Sequence, residues 1–397
     1  MLEVSDLLKL ALGRVPADFS VSRAPARYGP GGRNAPPVVV WNVCRHCNLS
    51  CPHCYASAGR RAAASDLSTT EARNLLDSLA GVGVRIVIFS GGEPLLRPDL
   101  FDLIAHARAV GLAPQLSTNG TLIDAPAAKR LAAAGVQYVG ISIDGLPQFN
   151  DPYRGLAGGF ALAIAGIGHA QAAGLRTGLR MTLSRRNHGQ LEALLQAAGA
   201  AGASRFYVSH LLYSGRGRRL AGDDLTVSET RALLLRLFER GAQSLESGTP
   251  AVVTGGNDSA AVLFLQWIAE RHGAEAAARV CDALARRGGN SAGERILNID
   301  ARGRVHPDQF WTAATLGDLR QQRLSEILRH PLRAELAGRE ASLSGRCGAC
   351  RYRPLCRGSH RERALAATGD LWAPDPACVM TDSEIGWSPA AEIRGAA

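Results

Sequence analysis

The stretch "VVVWNVCRHCNLSCPHCYAS", Val38 to Ser57, runs from an unbroken apolar segment straight into four of the chain's nine cysteines. A short Val-rich run of this kind predicts a strand buried on both faces, as in a parallel sheet. Ligand sites in parallel α/β sheets lie at the carboxyl ends of strands, so thiols placed there point to chemistry. The same strand pattern then repeats in "VRIVIF" (84–89), "LAPQLS" (112–117), "VQYVGISI" (136–143), "LRTGLRMTL" (175–183) and "RFYVSHLL" (205–212). A helical pattern follows each; the one opening at Ser68 begins with the capping box "STTE". Six such units predict a parallel sheet covered by helices, either an open doubly wound sheet or an incomplete barrel. The motifs "SGGEP" (90–94), "STNG" (117–120) and "SIDG" (142–145) stand at the second, third and fourth strand ends.

Composition narrows the setting. The 397 residues are 46% hydrophobic and 5% aromatic, which suits a core of Ala, Leu and Val. No stretch approaches about 18 uninterrupted apolar residues, so no membrane span is expected. The opening "MLEVSDLLKLALGRV" is an amphipathic helix carrying acids, without the cationic head and cleavage site of an export signal. A cytoplasmic location is therefore expected, where clustered thiols serve metals or redox chemistry. The net charge of +10 favours anionic partners, but the basic residues are scattered, and nucleic-acid binding is not expected.

Cys47, Cys51 and Cys54 form C-x3-C-x2-C, with Tyr55 directly behind. Three thiolates on one loop can hold three irons of a [4Fe–4S] cube and leave the fourth open for a ligand. Cys44 lies outside this spacing and reads as a small buried neighbour. Further on, Cys347, Cys350, Cys356 and Cys378 could close a site for zinc or for a second [4Fe–4S] cluster, and spacing alone does not separate these. Cys281 stands alone in a helical stretch and reads as a spectator.

"CNLSCPHCY" together with "GGEP", "STNG" and "SIDG" resembles the radical S-adenosylmethionine (SAM) superfamily. The resemblance implies a partial (β/α)6 TIM-type barrel with a small C-terminal iron–sulfur domain of the SPASM or twitch kind. It implies a reduced [4Fe–4S] cluster on Cys47, Cys51 and Cys54 that binds SAM and cleaves it to a 5′-deoxyadenosyl radical. It further implies an external one-electron reductant of the flavodoxin or ferredoxin type. SAM contacts are expected from Tyr55, Gly91, Gly92, Glu93, Ser117, Asn119, Ser142 and Asp144. Arg180 reads equally as a partner for the SAM carboxylate and as a surface arginine. By the same resemblance Cys347, Cys350, Cys356 and Cys378 hold one auxiliary [4Fe–4S] cluster. The SPASM pattern departs at His360 and near Asp308, where further cysteines are absent, so a second auxiliary cluster is not expected.

"NIDARGRVHPDQFW" (298–311) resembles the tetrapyrrole-modifying branch of the superfamily, which serves heme d1 biosynthesis and the alternative heme pathway. That branch implies an anionic tetrapyrrole, 12,18-didecarboxysiroheme, losing two propionate side chains. His306, Asp308 and Gln309 are candidate substrate contacts, or equally polar groups that shape a hairpin. Removal of acetate or propionate carboxyls, peptide maturation and a non-catalytic metal scaffold are the alternatives. A lead of about 35 residues is short for a peptide-recognition domain, which weighs against maturation. The expected divisions are a helix and irregular lead-in over 1–35, a barrel over 36–247 and a helical bridge over 248–290. A cysteine-rich domain over 291–386 and a tail over 387–397 complete them.

Overall fold

The computed structural model describes residues 1–15, 38–248 and 250–388. The Pro- and Gly-rich lead-in and most of the tail lie outside them. Among the described residues eleven strands occur in the order β1 (Leu2–Glu3), β2 (Val38–Asn42), β3 (Ile86–Ser90), β4 (Ala113–Thr118), β5 (Tyr138–Ser142), β6 (Thr177–Thr182), β7 (Arg205–Ser209), β8 (Ala251–Gly255), β9 (Ile296–Ile299), β10 (Arg304–His306) and β11 (Gly317–Asp318). The chain divides into two compact units. One comprises residues 27–224 and 292–334; the other comprises 1–26, 225–291 and 335–397.

The larger unit holds the six expected strands and the helices between them. Its strands β2 to β7 are parallel and neighbour one another in sequence order. A doubly wound sheet reverses its strand order part-way, so the unreversed order selects the barrel-type winding. All five residues of β2 and of β3 are buried. Val38, Val40, Ile86 and Ile88 form one cluster with Ala113 and Ile296. The two-residue period then sends Trp41 and Phe89 to the other face, where their rings meet at 5.6 Å.

The covering helices have the burial spacing of an amphipathic face. Thr69–Gly81 buries Ala72, Leu75, Leu76 and Leu79, and its start is fixed by the reciprocal Ser68–Glu71 capping box. Leu100–Ala109 likewise buries Leu100, Leu103, Ile104 and Ala107.

The hairpin expected near residue 300 is formed by β9 and β10, antiparallel, with Val305 opposite Ile299. It joins the barrel sheet: β9 runs parallel to β2, pairing Val40 with Asn298. The units change at 291/292, and the hairpin falls with the barrel strands rather than with the cysteines that follow it. An edge strand as apolar as β2 needs its backbone groups satisfied, and β9 supplies that pairing.

The smaller unit begins with the helix Val4–Ala11, which buries Val4, Leu7, Leu8, Leu10 and Ala11. β1 pairs antiparallel with β8, a strand where a helical bridge was expected. The helix Ser259–Arg287 that follows is interrupted at Gly273, whose φ of 82° and ψ of 175° no helix accommodates. Phe238, Phe264 and Trp267 pack ring against ring within this unit. The cysteine-rich segment from residue 335 onward belongs to this body, together with 225–291. "LSEILRHPLRAEL" (324–336) forms two short helices, Leu324–Ile327 and Pro331–Ala337. Pro331 lacks an amide hydrogen and excludes helical backbone at the residue before it, which stops the first helix.

Candidate active site

Cys47, Cys51 and Cys54 come together on the loop after β2, sharing one packed cluster with Leu49, Ala58 and Leu156. Burial raises the thiols of Cys47 and Cys51 to about 11. Such thiols keep their protons at neutral pH until a cation displaces them, which is the behaviour expected of ligands awaiting iron. Cys44 is buried beside them, its Sγ 3.4 Å from the Glu93 carbonyl and 3.5 Å from that of His46.

The backbone of the cysteine loop is seated on the "GGEP" turn. Gly92 N donates to Cys44 O at 2.8 Å and Glu93 N donates to His46 O at 2.7 Å. A Cβ on Gly92 would fall inside contact distance of the His46 carbonyl. The motif therefore needs glycine there for close backbone approach, a demand that composition alone does not reveal.

Glu93 is fully buried, and burial raises its pKa. Its carboxylate accepts from Thr118 Oγ1 at 2.7 Å, Asn119 N at 2.9 Å and Leu95 N at 3.1 Å. It thus links the second strand end to the third. Asn119 continues the link: its side-chain amide donates to Asn48 Oδ1, and its oxygen accepts from the amide and hydroxyl of Thr121. Tyr55 anchors the far side of the cysteine loop, its hydroxyl 3.0 Å from both Asn42 Oδ1 and Ser90 Oγ. Burial raises the Tyr55 phenol to about 12, so it remains a neutral hydrogen-bonding group.

Asp144 was expected to face the cofactor. Its oxygens are instead held by the protein: Arg154 bonds Oδ2 at 2.7 and 2.9 Å, His53 Nε2 lies 3.2 Å away, and Thr182 N donates to Oδ1. Burial alone would raise this carboxyl, but Arg154 and then His53 hold it below the usual range. His53, between Cys51 and Cys54, stacks on Tyr153 with ring centroids 5.3 Å apart. Asp144 therefore braces the cysteine loop.

Arg180 is not a surface arginine. It extends from β6 across β5, where a Cβ on Gly140 would collide with its guanidinium. Nη1 donates to Ser117 Oγ at 2.8 Å. Ser142, at the end of β5, is the register partner of Arg180. Ser117, Ser142 and Arg180 thus share the strand-end region with the "STNG" and "SIDG" turns.

A residue that the sequence reading missed secures the loop from the β7 side. Arg216 Nε donates to Cys51 O at 2.9 Å, Nη1 donates to Ala58 O at 2.7 Å, and its amide donates to Cys54 O at 3.0 Å. The signal was present as an arginine between two glycines in "SGRGRRL", directly after the sixth strand.

The hairpin reaches the same region through Phe310, whose ring meets Tyr55 edge-on at 5.4 Å. Asp308 Oδ1 accepts from the amides of Phe310 and Trp311, a loop-shaping role. His306 is 2% exposed, with Nδ1 2.7 Å from Ala314 O and Nε2 facing Asp300 Oδ2 at 3.8 Å. Gln309 Oε1 is buried without a partner. The three expected substrate contacts thus lie together on the hairpin and the loop after it.

In the smaller unit Cys347, Cys350, Cys356 and Cys378 lie within electrostatic reach of one another. Burial raises all four thiols, Cys356 the most. Arg357 and Ser359, just after Cys356, both take φ of 57°, a strained conformation for residues with a side chain. Cys281 sits apart, on the helix Ser259–Arg287.

Residues 41–198 match the model of the radical SAM superfamily. The pre-heme d1 synthase of Dinoroseobacter shibae is 43% identical over 88% of this chain and 88% of its own length. The chain belongs to the radical SAM superfamily. Another radical SAM relative, the Fe-coproporphyrin III synthase of Methanosarcina barkeri, is 38% identical over 91% of this chain and 95% of its own. The solved structure of native anSMEcpe with bound AdoMet has the same radical SAM fold: TM-score 0.67 at 16% identity, covering 91% of this chain and 98% of that one. Membership implies a [4Fe–4S] cluster and SAM, and the three thiols gathered on one braced loop, Cys47 buried and Cys51 and Cys54 half-buried, fit that cluster. Among the described residues no helix is long and apolar enough to cross a membrane.

Proposed function

We propose that this radical SAM enzyme acts in heme d1 biosynthesis, removing two propionate side chains from 12,18-didecarboxysiroheme. The observation that carries the reading is the 43% identity to a pre-heme d1 synthase over 88% of the chain. Cys47, Cys51 and Cys54 would hold the SAM-binding cluster, and Cys347, Cys350, Cys356 and Cys378 the auxiliary one. When bound, the first cluster supplies an electron and SAM the hydrogen-abstracting 5′-deoxyadenosyl group.

The chain's own part is positioning. The Gly92 and Arg216 contacts fix the thiol loop, and the Glu93–Asn119 network fixes the neighbouring turns. Arg180 offers a guanidinium to a carboxylate from beside Ser117. A propionate-bearing macrocycle also needs cations around the mouth. Arg60, Arg185, Arg186 and Arg219 are exposed on loops that follow the cysteine motif, β6 and β7. His306 and Gln309 would contact the substrate. Holding the target carbon close to the reactive group while excluding water is what the strand-end assembly contributes.

The deciding experiment is anaerobic incubation with didecarboxysiroheme, SAM and a strong reductant, followed by mass analysis. Loss of propionate-derived mass supports the reading. Loss of carboxyl groups alone would move the enzyme to the alternative heme pathway. Absence of tetrapyrrole binding would reject both.

A further inference from the structure

Arg361 is 1% exposed and stands five residues after Cys356. Its guanidinium touches only neutral oxygens. Nη1 donates to Ala373 O at 2.7 Å and Leu371 O at 3.1 Å, and Nη2 donates to Gly358 O. Nε is buried and has no partner. Two neighbouring buried arginines are placed differently. Arg363 makes a doubly bonded ion pair with Asp375, and Arg357 lies 3.2 Å from Glu340.

A buried cation without a counter-charge is costly, so a fold that keeps one has a negative charge to set against it. Asp375, Cys347, Cys356 and Arg363 lie within electrostatic reach of Arg361. The Asp375 carboxylate is committed to Arg363 and to the amides of His360 and Ala377. The thiols remain, uncharged while protonated and anionic once they bind metal.

We infer that Arg361 is the charge-compensating residue of the auxiliary iron–sulfur cluster, its unpaired guanidinium offsetting the cluster's negative charge and raising the cluster's reduction potential. The inference rests on the reading of Cys347, Cys350, Cys356 and Cys378 as cluster ligands. Net charge and hydrogen bonding to sulfur are established controls on such potentials, and the Nε–H is the donor left available. Arg361 is a positioning residue here, acting through the cluster.

The test uses the full chain with Cys47, Cys51 and Cys54 replaced by Ala, so that only the second cysteine group can load. This parent and its Arg361→Met and Arg361→Lys derivatives are reconstituted anaerobically, assayed for iron and titrated redox-potentiometrically with EPR detection. At the parent's midpoint, Arg361→Met should show a reduced-to-oxidised ratio about tenfold lower, equivalent to about 59 mV for one electron. Arg361→Lys, which keeps the charge, should recover most of that shift. Equal iron content with an unmoved midpoint in Arg361→Met would overturn the inference alone. A parent that binds no iron would overturn the cluster reading and the inference with it. Should Arg361→Met fail to load, a loaded Arg361→Lys with a midpoint near the parent's supports charge compensation. Failure of both variants to load would assign Arg361 a purely structural role.

Discussion

Gly92 shows how a residue without a side chain can govern a metal loop. A methyl group there must displace the His46 carbonyl, and with it the loop that carries Cys47. Overpacking of this kind costs about 1–3 kcal/mol. Gly92→Ala should therefore lower iron loading at the first cysteine group while leaving the second loaded, as read by iron analysis and EPR of the reconstituted protein. Asp144→Asn should be costly for a different reason, because it leaves Arg154 buried without its counter-ion. A loss of about 3–5 kcal/mol is expected, measured as a lower denaturant midpoint. The cysteine spacing was legible from sequence because it is local. The bracing role of Asp144 was not, since it depends on Arg154, ten positions onward, and on His53 from a different loop. The "SIDG" motif located Asp144 at a strand end without showing where its oxygens turn.

At the level of elements, the six strands and their order of appearance were readable because each is a short apolar run with helix signals after it. The loop following β7 was not, although it fastens three carbonyls of the cysteine motif through Arg216. Arg216→Ala should remove two of these hydrogen bonds, those from the side chain, and loosen the thiol loop. We expect reductive SAM cleavage to fall about tenfold or more, with the secondary-structure signal in circular dichroism unchanged. The helical stretches at 324–337 and at 259–287 are each broken, by different residues. Pro331 ends a helix that the apolar spacing would continue, whereas Gly273 interrupts the longer run in the smaller unit. β8 escaped notice because "AVVTG" is too short for its alternation to stand out beside a long helical pattern.

On the scale of the molecule, each unit has its own source of stability. The smaller one depends on the N-terminal helix, so Leu8→Ala, at a fully buried site, should cost about 2–5 kcal/mol in a denaturation experiment. It also depends on the Arg363–Asp375 pair. Burial would raise the Asp375 carboxyl, but Arg363 brings it from the ordinary 3.8 down to about 2. A folded pKa below the unfolded one means that this contribution is present above about pH 4 and is lost as pH falls through about 2. Asp375→Asn should flatten that acid limb in a plot of stability against pH. Sequence boundaries placed the hairpin with the cysteines that follow it. Pairing across the sheet is a long-range property, and nothing local in "NIDARGRV" announces β2 as its partner.

The β2–β9 pairing also has a consequence in time. β2 ends at Asn42, but β9 is not complete until Ile299 has been synthesised. At about 5–20 residues per second, a nascent chain holds that Val-rich edge open for roughly ten seconds or more. During that interval the edge is a template for any passing strand. Yield in a heterologous host should therefore respond to translation speed and chaperone supply more sharply than the stability of the finished protein would suggest.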